Sequence, residues 1–214
     1  MPISARLLAV PAVLLALITW QVADSGPLLR WDERLSAALR HPDRFAELLS
    51  DLGNVQVALP VLLVVAGYVA WLGRRAGEPR WWGPAAAALT AMALVPLVVV
   101  PLKIWTDRPG TPAVPPATGY FPSGHTATAM IAYGGAVLVL LPWLAAGRAR
   151  RTAVGVAVVL VAAVSYGLVR RGYHWPLDVI ASWCLGAVLL GALRLVVVRI
   201  GAPKRSVGAV HSDA

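Results

Sequence analysis

Residues 120–146 read YFPSGHTATAMIAYGGAVLVLLPWLAA: a short polar head, Tyr120 to Thr126, runs without a break into an apolar block. A helix that crosses a bilayer needs about 20 such residues at 1.5 Å rise each, and this block has that length. Ser123 is a natural helix N-cap at its mouth. A second junction has the same form: Gly172-Tyr173-His174-Trp175-Pro176-Leu177-Asp178 leads into the last apolar block. The only other histidines are His41 and His211.

Working outward, 214 residues fit one domain, 1–214. The chain is 58% hydrophobic and 14% charged, with mean hydropathy +0.70, which excludes a soluble domain of this size. The net charge of +9 does not indicate nucleic acid, because the arginines fall in short clusters between apolar blocks. That arrangement is the topology signal of a membrane protein. Cys184 stands alone inside an apolar block, so no internal disulfide is possible. Arg6 and residues 7–20 resemble the start of a signal peptide, but Thr19-Trp20-Gln21 offers no small-x-small cleavage site. An uncleaved first span is expected.

The pattern predicts an all-α membrane bundle of six transmembrane helices, near 6–23, 55–73, 83–104, 123–146, 152–169 and 177–198. Gly134, Gly135, Gly155, Gly186 and Gly191 would let helices approach closely. Pro96 lies inside the third span, where neighbouring helices can tolerate it. Segment 24–54 interleaves Leu35, Leu39, Phe45 and Leu48 with Arg34, Arg40, Arg44, Asp43 and Glu47, which suits one or two amphipathic helices at the interface. His41-Pro42 breaks it, with His41 in an exposed turn. Eleven of the 19 basic residues fall on the side shared by the N-terminus, loops 74–82 and 147–151, and the tail 199–214. Positive-inside logic therefore puts both termini and that tail in the cytoplasm of a multi-pass cell-membrane protein, with the histidines facing the extracytoplasmic side.

Three junctions meet there: Lys103 to Pro109, Pro122 to His125, and Arg170 to Asp178. Behind a Ser123 cap, the amides of Gly124 and His125 lack intrahelical partners and suit an anion. Gly124 also admits a ligand close to the backbone. Arg108 and one of Arg170 or Arg171 can grip phosphate oxygens, and Lys103 adds a point charge. Asp178, four residues beyond His174, can orient that imidazole as the carboxylate of a triad does, leaving one nitrogen nucleophilic. His125 can protonate a leaving oxygen. Two histidines and a carboxylate could also ligate zinc, but the surrounding cations disfavour a dication. No metal and no cofactor are expected.

Pro122-Ser123-Gly124-His125 and His174-x3-Asp178, with an upstream Lys103…Arg108-Pro109 across six spans, resemble the motifs of the type-2 phosphatidic acid phosphatase (PAP2) superfamily. The resemblance implies a metal-independent lipid phosphatase with a phosphohistidine intermediate. It implies His174 as nucleophile, Asp178 as its orienting partner and His125 as general acid. Lys103, Arg108, Ser123, Gly124 and Arg170 would bind the phosphate. Two departures stand out. The family pattern K-x6-R-P appears as Lys103-x4-Arg108-Pro109, with Gly110 where the arginine should fall. In the pattern S-R-x5-H-x3-D, Gly167 and Leu168 replace Ser and Arg, and the nearest arginines are Arg170 and Arg171.

The expected activity is hydrolysis of a lipid phosphomonoester or diphosphate, such as a polyprenyl phosphate or diphosphate, phosphatidate or a related lipid. The alternative is a catalytically altered relative that binds or transports phospholipids. Expected partners are the lipid phosphate and membrane lipids, not nucleic acid; a homo-oligomer is left open.

Overall fold

The computed structural model describes residues 5–200, so the expected tail with His211 falls almost wholly outside the described residues. Those residues form helices and connecting loops, with no strand among them. Helix α1 spans Ala5–Ala23, α2 Leu28–Leu39, α3 Arg44–Asp51, α4 Val55–Arg75 and α5 Gly83–Thr106. Next come α6 (Gly124–Ala129), a π-turn at Met130–Gly134 and α7 (Gly135–Leu140), which continue one another. Helices α8 (Arg148–Arg171) and α9 (Pro176–Ile200) complete the order. Five helical stretches are long and apolar enough to cross a membrane: α4, α5, Gly124–Trp143, α8 and α9. Counting α1 with its bent partner α2 as one span makes six.

The α6–α7 span is the axis of the bundle, far more buried than α4, as expected of the helix the others surround. Its side chains Ile131, Ala132 and Val139 join Leu62 of α4, Val95 and Val99 of α5, Val164 and Leu168 of α8, and Leu185 of α9 in one apolar core. Lipid gives no hydrophobic drive for helices to associate, so close backbone approach matters more here than in a soluble bundle. A Cβ on Gly191 would lie 2.1 Å from Leu8 Cδ2, one on Gly186 2.6 Å from Met130 Sδ, and one on Gly134 2.7 Å from Leu190 Cδ1. Gly135 makes only ordinary contact and Gly155 faces open space. Helix α5 runs unbroken through Pro96. Leu8 meets Gly191 near one end, while Ile18 and Val22 cluster with Leu177 and Ala181 near the other, so α1 runs antiparallel to α9.

Segment 24–54 holds two helices, separated where His41-Pro42 breaks the chain, and His41 is exposed. The axis turns 91° between α1 and α2, so α2 lies across the bundle end. Ser25, with φ of 51°, makes that corner. Both helices are amphipathic in the sense a membrane surface demands. Trp31, Leu35, Leu39, Phe45 and Leu48 face outward, while Asp32, Ser36 and Ser50 face the bundle. Helix α3 is capped by Asp43, whose Oδ1 accepts from Ala46 N at 2.6 Å, and it packs against α8 through Gly167. A Cβ there would sit 2.6 Å from both Ala46 O and Ser50 N, which are backbone atoms that cannot rotate away.

Candidate active site

The C-terminal ends of α5 and α8 and the N-terminal ends of α4, α6 and α9 lie at one end of the bundle. Between them is a cleft of about 580 Å³ whose wall includes Asn54, Lys103, Tyr120, Gly124, His125 and His174. Of the residues expected from the sequence, the fold thus brings Lys103, Gly124, His125 and His174 to one space.

The mouth of α6 is built as its sequence suggests. Ser123 is fully buried, its Oγ accepts from Thr126 N at 3.3 Å, and the first-turn amides of Gly124 and His125 lie beyond the cap. A Cβ on Gly124 would meet no atom within 4 Å. This junction is tied to α9: Ser123 N donates to Asp178 O at 3.1 Å, and Ser182 Oγ donates to Ser123 O at 2.8 Å. The two motifs therefore share one frame.

At the other mouth, Gly172 ends α8 in the left-handed conformation with φ of 75°, and Pro176 opens α9. His174 falls between them, 6% exposed. Its Nδ1 is 3.1 Å from Asp178 Oδ2, which also accepts from Trp175 N at 3.1 Å. Asp178 is completely buried. A carboxylate on Nδ1 leaves Nε2 of His174 without its proton when the ring is neutral. The Tyr120 ring meets the imidazole edge-on at 5.8 Å.

The cations divide. Lys103 lines the cleft and donates to Gly119 O at 2.6 Å. Arg108 lies behind it, 4% exposed, with NH1 on Asp178 Oδ1 and NH2 on Asp32 Oδ2, each at 2.5 Å. Arg170 does not line the cleft: its Nε donates to Asp43 Oδ2 at 2.9 Å, and Arg171 NH2 donates to Tyr173 OH at 2.7 Å. Asp43 lies outside the spans, and its carboxyl is held below the usual carboxylate range by the Ala46 amide first and the Arg170 guanidinium second.

Both departures from the family pattern have packing reasons. A side chain at 110 would have to displace those of Val114 and Tyr120, because a Cβ there would lie 2.5 Å from Val114 Cγ2 and 2.8 Å from Tyr120 Cε2. Gly167 makes room for the backbone of α3, and Leu168 is fully buried in the core.

Two site residues escaped the sequence reading. Asp32, 3% exposed, accepts from Arg108 and, through Oδ1, from Leu177 N at 2.8 Å. Its signal was the polar face it shares with Ser36, opposite Leu28, Trp31, Leu35 and Leu39: on a helix lying in a membrane surface, that face points inward. Asn54 accepts on Oδ1 from His125 Nε2 at 2.7 Å, and nothing in its local sequence announces this.

The PAP2 superfamily model matches residues 84–201, more than half of the chain. A crystal structure described as the first transmembrane PAP2 type phosphatidylglycerolphosphate phosphatase, from Bacillus subtilis, superposes with a TM-score of 0.72. It is 22% identical, over 89% of this chain and 96% of that one, a likeness of fold. An undecaprenyl-diphosphatase of Sulfolobus acidocaldarius is 40% identical over 79 residues, 34% of this chain and 32% of that protein, so the match spans about a third of the relative's length. With the family model, the shared fold and the Ser123–His125 and His174–Asp178 junctions in place, the chain belongs to the PAP2 superfamily.

Proposed function

We propose that this protein is a membrane lipid phosphatase that hydrolyses a phosphomonoester or diphosphate through a phosphohistidine. The observation that carries the reading is the cleft itself: His174 backed by Asp178, His125 and Lys103 share one space. Beside it runs an apolar groove of about 410 Å³ between α4 and α5, walled by Val55, Leu59, Met92, Pro96 and Val99. Groove and cleft share Val55, Gly124 and Thr128. A phosphate headgroup suits the cleft and an acyl or prenyl tail suits the groove.

In the first half-reaction His174 Nε2 attacks phosphorus, the bond to the ester oxygen breaks, and the electron pair leaves with that oxygen. His125 supplies its proton. Asp178 stabilises the imidazolium-like His174 that forms, the part a buried carboxylate plays in a triad. Lys103 and the free amides at the mouth of α6 stabilise charge on the equatorial oxygens, with Ser123 holding that mouth in place. Water then attacks the phosphohistidine, its proton passing to His125. Arg108 acts behind the cleft, holding Asp178, and Arg170 anchors α3 through Asp43. A polyprenyl phosphate or diphosphate is the preferred substrate, supported by the name of the Sulfolobus relative. The distribution of basic residues supports cytoplasmic termini and an extracytoplasmic cleft.

The test is phosphate release by purified protein from a panel of lipid phosphates in the presence of EDTA. The expected result is turnover that disappears in His174→Ala and persists in His41→Ala. Lipid binding without turnover on any member would favour a relative that only binds phospholipids.

A further inference from the structure

The second histidine has a support of its own, built from the turn between α3 and α4. We infer that Asn54 is the positioning residue of His125, fixing its tautomer and aiming its other nitrogen at the leaving oxygen; the assignment rests on the phosphatase reading above. Asn54 occupies the N-cap position of α4, where an asparagine side chain ordinarily accepts from the first-turn amides. Here it makes no such bond. Its Oδ1 meets His125 Nε2 at 2.7 Å, and its Nδ2 donates to Asp51 Oδ1 at 3.0 Å. The Asp51 carboxylate can only accept, so it sets which way the amide faces. With Nδ2 on Asp51, Oδ1 faces the imidazole, and an oxygen there requires Nε2 to carry a proton.

Two further contacts hold this turn against the span that carries His125. Tyr133, in the π-turn of that span, donates its hydroxyl to Leu52 O at 2.6 Å. Gly53 packs so closely that a Cβ would lie 3.0 Å from His125 O and 3.1 Å from His125 Cβ. Residues 51–54 thus form a seat for His125. Helix capping does not explain the choice of asparagine, since the cap bond is not made.

The consequence is a division of the ring. Nε2–H stays on Asn54 throughout, and Nδ1 is the nitrogen that moves protons. In the imidazolium, Nδ1–H passes its proton to the leaving oxygen as the bond to phosphorus breaks. The neutral Nε2–H tautomer that remains is the one Asn54 selects, with Nδ1 free to take a proton from the attacking water. The two histidines are therefore oriented through opposite nitrogens: His174 through Nδ1 by a carboxylate, which raises nucleophilicity, and His125 through Nε2 by a neutral amide, which leaves it an acid.

The test compares two esters of purified protein by kcat/KM, which reports the step that phosphorylates His174. One is an alkyl lipid phosphate, whose alkoxide needs a proton to leave. The other is p-nitrophenyl phosphate, whose leaving group needs none. Asn54→Ala is expected to lower the alkyl value by about 10- to 100-fold, part of what a positioned acid supplies, and to leave the aryl value within about threefold. His125→Ala should show the same selectivity with a larger loss. Exchanging the pair, Asp51→Asn with Asn54→Asp, keeps both hydrogen bonds but sets a carboxylate on His125, so it is expected to recover part of the alkyl hydrolysis that Asn54→Ala loses. Should Asn54→Ala not purify folded, Asp51→Ala, which frees the amide to rotate, carries the same comparison with a smaller selective loss. An active wild type whose variants lose both esters equally, or lose neither, overturns the assignment alone. A wild type inert on both overturns the phosphatase reading and the assignment with it.

Discussion

Removing Asp32 is the sharpest test of how the site is held together. This residue comes from α2, outside the α4–α9 bundle, yet it is 3% exposed and joins two elements of the site. Its Oδ2 takes one end of Arg108 at 2.5 Å and its Oδ1 takes the Leu177 amide, in the first turn of α9, at 2.8 Å. Asp32→Ala strips both acceptors and leaves Arg108, 4% exposed, with Asp178 alone. Breaking a buried ion pair from one side costs about 3–5 kcal/mol. At about 2–4 °C per kcal/mol for a chain of this size, Tm should fall by roughly 6–20 °C. Asp32→Asn keeps one acceptor oxygen for two donors, so one bond is lost, worth about 1.5–3 kcal/mol if it is the charged one. The order of stability is then wild type, Asn variant, Ala variant. Thermal melting in detergent, followed by the fluorescence of the nine tryptophans, reads it directly; Trp175 lies 5.4 Å from the Arg108 guanidinium. Turnover should fall in the same order, because Arg108 positions the carboxylate that orients His174. An Ala variant that melts with the wild type would refute the reasoning, and so would an Asn variant less stable than the Ala variant.

Two other perturbations test the packing of α3. Gly167→Ala puts a methyl 2.6 Å from two backbone atoms of that helix; overpacking of this kind costs about 1–3 kcal/mol, and a lower Tm than wild type, with a larger loss for Gly167→Leu, is the expected melting result. Asp43 has its pKa lowered by folding, so its contribution is present above its unfolded pKa of about 3.9 and is lost as pH falls through the folded value. Asp43→Asn retains a capping side chain without the charge, and its Tm should therefore decline less steeply than that of wild type as the pH is taken below about 4; parallel Tm curves would count against the Asp43–Arg170 pair.

Much of the fold was legible locally. The helices begin and end within a few residues of the apolar blocks, because bilayer thickness and backbone hydrogen bonding act on each segment separately. The Ser123 cap, the Pro176 start and the four-residue spacing of His174 and Asp178 were legible for the same reason: each is settled within one helical turn. The arginines were not. Sequence spacing suggested that Arg108 and Arg170 would reach a phosphate, whereas the fold turns Arg108 to Asp178 and Asp32 and Arg170 to Asp43.

The amino-acid order by itself determined the spans, the two histidine mouths and the family pattern they make. Only the tertiary structure decided which residues stand behind them. Asp32 reaches Arg108 across 76 positions because α2 turns 91° from α1, and Asn54 meets His125 across 71 because Gly53 lets the α3–α4 turn lie against it. A side chain's local chemistry says what it can bond. The angle of a helix and the absence of a single Cβ decide what comes within 3 Å of it.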